Sequence, residues 1–159
     1  MVKTTILLAL LLSAVPVAAS AAPAMHHSSP TKSQIAKQFD IWNSALQTGN
    51  PKTVAALYCE PGAVLLPTVS NRVRTTQHGI VDYFTHFLKS KPVGHIDQSH
   101  IRILGPDAAI NSGIYTFTLT NDGKTSKVQA RYTYVYEKRH GKWCIMDHHS
   151  STMPETAAK

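Results

Sequence analysis

The second half of the chain constrains the fold most. From residue 95 onward it reads as strand after strand, over 95–104, 108–119, 130–137 and 143–151. The junctions carry turn residues: Gly105-Pro106-Asp107, Asn121-Asp122-Gly123 and His140-Gly141. Alternating segments joined by such short turns predict an antiparallel meander. The final strand ends in Asp147-His148-His149-Ser150-Ser151, an unusual density of titratable and polar groups for a sheet interior.

Ahead of the meander the signals are helical. Thr31 and Gln34 fit a capping box that opens a first helix. Ile35, Phe39, Trp42 and Leu46 then recur at helical spacing, and Gly49 closes it. Asn50-Pro51 starts a second, short helix as cap and first turn, with Glu60-Pro61-Gly62 as its stop. Brief strands are expected over 63–67 and 72–75. A third helix over 77–89 is expected to bury Ile80, Tyr83, Phe84, Phe87 and Leu88, and Pro92 prevents its continuation. The order α-α-β-β-α-β-β-β-β predicts an α+β fold, a cone-shaped curved antiparallel sheet packed on three helices. Residues 31–154 form this one domain, followed by a tail over 155–159.

The chain begins with a basic Met1-Val2-Lys3, an apolar run from residue 4 to 19, and the small residues Ala19-Ser20-Ala21. This is the pattern of a cleaved secretory signal peptide over 1–21, so a secreted or periplasmic protein is expected. Cleavage after Ala22 or Ala24 fits the same pattern. The apolar run is short for a membrane span, and no cysteine follows it to carry a lipid. A polar linker occupies 22–30, and its His26-His27 pair does no more than collect stray metal ions. Among 16 Lys and Arg only Lys3 lies in the leader, so the mature chain stays basic against nine Asp and Glu. The positive residues are scattered, and their one cluster, residues 138–142, sits on a hairpin tip. That distribution does not describe a nucleic-acid surface, and a small anionic ligand is compatible with it. After export, Cys59 and Cys144 can pair as a disulfide; two buried free thiols is the simpler alternative, and both stay open.

In the fourth strand Ile110 and Ile114 lie on one face and Tyr115, Phe117 and Leu119 on the other. Helices cover only one face, so a second copy of the chain is the natural cover for the other, and a homodimer or higher oligomer is expected. In the last strand parity puts Asp147, His149 and Ser151 on one face, and His148 and Ser150 on the other. Adjacent His148 and His149 therefore cannot share a metal ion. Either face can line a pocket. A pocket-facing His149, with Asp147, is the candidate general acid or base; histidines bonded at a rim or interface are the simpler reading. Arg131 reads as a structural arginine bonded to Glu60 or a backbone carbonyl. Tyr132, Tyr134 and Tyr136 share a face and line either a pocket or an interface. His78, Asp82 and His86 recur on the third helix opposite its apolar stripe and form a solvated face. Candidate pocket residues are thus Tyr58, Tyr115, Arg131, Tyr134, His148, His149 and Ser151. No motif identifies a cofactor, and no residue set identifies a metal site.

The element order, with residues 58–67, His78-Gly79-Ile80 ahead of Tyr83-Phe84, Gly141-Lys142-Trp143 and His148-His149-Ser150-Ser151, resembles the nuclear transport factor 2-like (SnoaL-like) superfamily. Within it the chain is similar to bacterial relatives of the association, or hub, domain of calcium/calmodulin-dependent protein kinase II, over about residues 32–154. The resemblance implies a conical fold, a deep pocket between sheet and helices, and oligomerisation through the outer sheet face. It implies no kinase activity, since no Gly-rich phosphate loop or catalytic-loop motif is present. Where the hub carries pocket arginines, this chain has Tyr134 and Ser150. The function expected is an exported, self-associating domain that binds a small anionic or aromatic molecule. A pocket enzyme of isomerase, cyclase or hydrolase type using His149 or Asp147 is the alternative, and an oligomerisation scaffold is a third.

Overall fold

A computed structural model describes residues 28–154 of the chain. The signal peptide, all but the end of the linker, and the tail expected from the sequence lie outside the described residues. Helix α1 spans Lys32–Gln47, and Thr31 caps it with the reciprocal bonds of a capping box to Gln34. Its buried stripe is Ile35, Phe39, Trp42, Ala45 and Leu46. Asn50 caps α2, whose first residue is proline, by accepting from the Lys52 amide. That helix covers only Pro51–Ala55, ending well before the expected stop at Glu60-Pro61-Gly62. Helix α3 spans Gln77–Phe87 and tightens into a 3-10 turn over Leu88–Ser90.

The sheet holds β1 (Val64–Leu66), β2 (Val93–Gly105), β3 (Ala108–Asn121), β4 (Lys124–Arg139) and β5 (Lys142–Thr152). Its order is β1-β5-β4-β3-β2, with the four long strands antiparallel and β1 parallel to β5. The strand expected over 72–75 shrinks to one bridge, in which Leu65 and Arg74 exchange both backbone bonds. A lone bridge suffices because the segment only has to cross from the sheet edge to the start of α3.

Three register shifts shape the sheet, one of them at Leu104 beside the β2–β3 turn. In β2, Asp97 has no partner between the pairs Ile96–Tyr115 and Gln98–Ile114. In β5, Met146 is the extra residue between Ile145–Tyr136 and Asp147–Val135. Beyond that bulge the parity read from the sequence holds, and His148 and Ser150 point inward. The concave face packs Tyr115, Tyr132, Tyr134 and Tyr136 against Ile35, Phe39, Trp42 and Phe84. Cys59 and Cys144 are bonded, with Cα atoms 5.0 Å apart, which corrects the free-thiol alternative. They meet because the backbone of residues 57–59 runs along the edge of β5: Cys59 donates to Ile145, and Ile145 to Leu57.

Candidate functional site

The polar end of β5 meets the helices at a partly open, mainly apolar cavity. It offers about 60 Å³ of room for the centres of water-sized spheres, several times what one water needs. The walls are Trp42 of α1, Tyr83, Phe84 and Phe87 of α3, and Leu119 and Val128 of the sheet; Pro67, Thr68 and Val69 close one side. The floor is Tyr115, His148 and Ser150. A second hollow shares Val69, Tyr83, Phe87 and Leu119 with this cavity and adds Arg74 and His86. It forms the mouth.

His148 is 4 % exposed and packed from several sides. The Tyr134 ring stacks on it at 4.1 Å between centroids, and Trp42 meets it edge-on at 5.4 Å. Its Nδ1 lies 2.8 Å from the Tyr58 hydroxyl, while its Nε2 has no hydrogen-bond partner among the described residues. Burial, with a smaller contribution from neighbouring His149, pushes the imidazole pKa down to about 3. The ring is neutral at physiological pH. Ser150 accepts from the Tyr115 hydroxyl at 2.5 Å and shares a short hydrogen bond with Thr68. Burial also raises the Tyr58, Tyr83, Tyr115 and Tyr134 phenols above their ordinary range. The site carries hydroxyls and a neutral imidazole, with no charge on its floor.

Of the residues singled out from sequence, Tyr115 and His148 line the cavity, and Tyr58 and Tyr134 hold His148 from behind. Arg131, His149 and Ser151, expected at the pocket, lie on the outer sheet face with Asp147. The bulge at Met146 and strict alternation beyond it turn them away. The general acid or base expected at His149 or Asp147 therefore stands outside the cavity. Arg131 reaches the Thr152 carbonyl at 3.3 Å. That is the backbone-carbonyl partner expected from the sequence, made by an exposed rather than a buried arginine; beside Glu60 it is Arg139 that donates, to the Pro61 carbonyl at 2.8 Å. Sequence reading missed Ser150, Thr68, Trp42 and Arg74 as site residues. For Ser150 the signal existed, since it shares a face with His148; the others come from loops and helices whose approach no periodicity encodes. On α3, Asp82 lies 3.3 Å from Arg74 and 3.8 Å from His86; the Asp82 and His86 side chains are exposed, as the expected solvated column requires, and His86 also lines the mouth. No three His, Cys, Asp or Glu side chains among the described residues are grouped to hold a metal ion.

A curved sheet wrapped on helices around an interior cavity defines the nuclear transport factor 2-like, cystatin-like class of fold. The family profile described as calcium/calmodulin dependent protein kinase II association domain matches residues 31–154, and the chain belongs to that family. A structure from Xanthomonas campestris assigned as such an association domain is 52 % identical. The match covers 84 % of this chain and all of that one, with a TM-score of 0.78. The association domain of the C. elegans kinase shares the fold at 16 % identity and a TM-score of 0.62, covering 76 % of this chain and 95 % of that one. A protein of Novosphingobium aromaticivorans assigned as a scytalone dehydratase does so at 14 % and 0.65, covering 76 % and 82 %. No curated protein matches the chain significantly.

Proposed function

We propose that this chain is an exported, self-associating domain that holds a small molecule inside its cone. The observation that carries ligand binding is the cavity itself, an apolar chamber whose few polar groups converge on one floor, as small-molecule sites do. Self-association is supported by membership of the association-domain family and by an outer sheet face that presents half-buried Ile110, Ile114 and Val135. Export is supported by the leader and by the Cys59–Cys144 bond, which suits an oxidising compartment. Among the described residues no Gly-rich phosphate loop or catalytic-loop motif of a kinase is present.

The test is direct. The mature protein is purified from the exported fraction of its host, its N-terminus is determined, and its mass in solution is measured by light scattering. A panel of small neutral and charged aromatics is then screened by thermal shift. Processing after Ala21, a multimer, and stabilisation by a compound that a bulky substitution at Ala130 blocks are expected. A monomer retained inside the cell that responds to no compound contradicts the reading.

A second reading is favoured by one observation. The unpartnered Nε2 of neutral His148 belongs to a residue of the cavity floor, where a neutral imidazole N–H can polarise a bound group. In that case the domain is a pocket enzyme of isomerase, cyclase or hydrolase type, with His148 as its polarising group rather than the acid or base expected at His149. Loss of turnover in His148→Gln, with binding retained, would establish it.

A further inference from the structure

The floor of the cavity has more hydrogen-bond donors than acceptors, and the surplus can be traced atom by atom. The Tyr58 hydroxyl stands 2.8 Å from His148 Nδ1. Its other polar neighbour is the Trp42 indole, which approaches without closing a full bond and can only donate. Donation from the phenol to Nδ1 leaves one orphan, the Nε2–H, whereas the reverse tautomer would leave two, the phenol hydrogen and the Nε2 lone pair; the imidazole hydrogen is therefore placed on Nε2. That Nε2–H is the atom left without a partner among the described residues. The Tyr115, Ser150 and Thr68 hydroxyls form the second chain. Three hydroxyls joined by two bonds use two of their three hydrogens and leave the third free. Two unused donors thus stand on the same floor, from residues two apart on one face of β5 and from their partners.

Among the described residues, none of those that line the cavity is a lysine or arginine. The nearest guanidinium, Arg74, belongs to the mouth and pairs with Asp82 at 3.3 Å. A carboxylate on the floor would be buried without a counter-charge, which is strongly unfavourable. We infer that the chamber selects a small neutral molecule bearing a carbonyl-type acceptor oxygen, an aryl ketone or ester in class, and rejects the matching carboxylate. A carbonyl oxygen has two lone pairs, enough to accept from both the Nε2–H and the free hydroxyl. This rests on the reading of the chamber as a ligand site, and it departs from the anionic ligand that the sequence left open.

The test uses acetophenone, ethylbenzene and benzoate, similar in size and differing in acceptor and charge. Calorimetric titration of the intact mature protein should rank acetophenone above ethylbenzene by about tenfold, the effect of one good hydrogen bond, with benzoate weakest. His148→Phe keeps the ring and removes the donor, and should bring the ratio of the two neutral compounds to about one. Long-range proton–nitrogen NMR of the unmodified protein should show the His148 hydrogen on Nε2, a measurement that needs no variant to fold. Equal binding of acetophenone and ethylbenzene would overturn the inference while leaving the chamber as a ligand site. So would preference for benzoate, or a hydrogen on Nδ1. Failure of all three compounds to bind would overturn both.

Discussion

His148 ties the stability of the fold to pH. Exposed in the unfolded chain, its imidazole titrates near the ordinary 6.5, whereas in the fold burial holds it near 3. Between those values the unfolded chain binds a proton that the folded chain does not, so stability rises with pH across that window. The contribution is complete above about pH 6.5 and is lost as pH falls toward 3. It amounts to a few kcal/mol at most. His148→Phe should flatten this slope. At pH 7.5 the variant is expected to be less stable by about 1–3 kcal/mol, because the buried Tyr58 hydroxyl loses its acceptor. By pH 4 the gap should narrow or reverse. Urea unfolding of both proteins from pH 7.5 to 4 measures it, and parallel curves would show that the imidazole is not held neutral by burial.

Between elements, two features pin the sheet to its neighbours. At Gly113 of β3 an added Cβ would stand 2.0 Å from the Gln98 carbonyl oxygen, because the bulge at Asp97 pushes β2 toward it. Backbone cannot give way cheaply there, so Gly113→Ala should cost about 1–3 kcal/mol in chemical denaturation. Gly105→Ala, with open space around its Cβ, serves as the control. The second feature is the disulfide, which closes a loop of sequence separation 85 and fixes the chain after α2 against β5. Cys144→Ser should lower stability by about 2–4 kcal/mol, and a reducing agent should reproduce the loss in the unmodified protein and leave the variant unmoved. These features also mark how far the sequence could be read. Caps at Thr31 and Asn50, the turns after β2, β3 and β4, and the alternation in β4 and β5 are local signals; they carry the element order and put Tyr132, Tyr134 and Tyr136 on one face, without saying which face is inward. The bulges, the pairing of Cys59 with Cys144, and the approach of Thr68 and Trp42 to the floor depend on contacts between distant segments. Periodicity carries no trace of them. Parity split the polar end of β5 correctly but left open which half faces inward; packing against Trp42 and Tyr58 selects His148 and Ser150.

The whole molecule has two faces with different work. The concave face is filled by helices and by the chamber. The outer face carries Ile110, Ile114 and Val135 among polar residues such as Gln98, Thr133 and His149. A sheet face of this mixed kind is stable in water, so the monomer does not need a cover, and association must be tested apart from folding. Ile114 is the position to use. It sits near the middle of β3, half-buried, with Arg131 of β4 directly opposite and Gln98 of β2 on its other side. In the single chain a glutamate there gains a cross-strand cation, so Ile114→Glu should leave the circular dichroism spectrum and monomer stability within about 0.5 kcal/mol of the original. In an assembly built through this face the same carboxylate is forced out of water in every copy, at several kcal/mol per interface. The expected outcome is a fall in mass by light scattering from multimer to monomer, together with loss of the concentration dependence of Tm that mass action imposes on an oligomer. An unchanged multimer would show that the chain associates through another surface, and the exposed Val69 and Val73 beside the mouth would be the next to substitute.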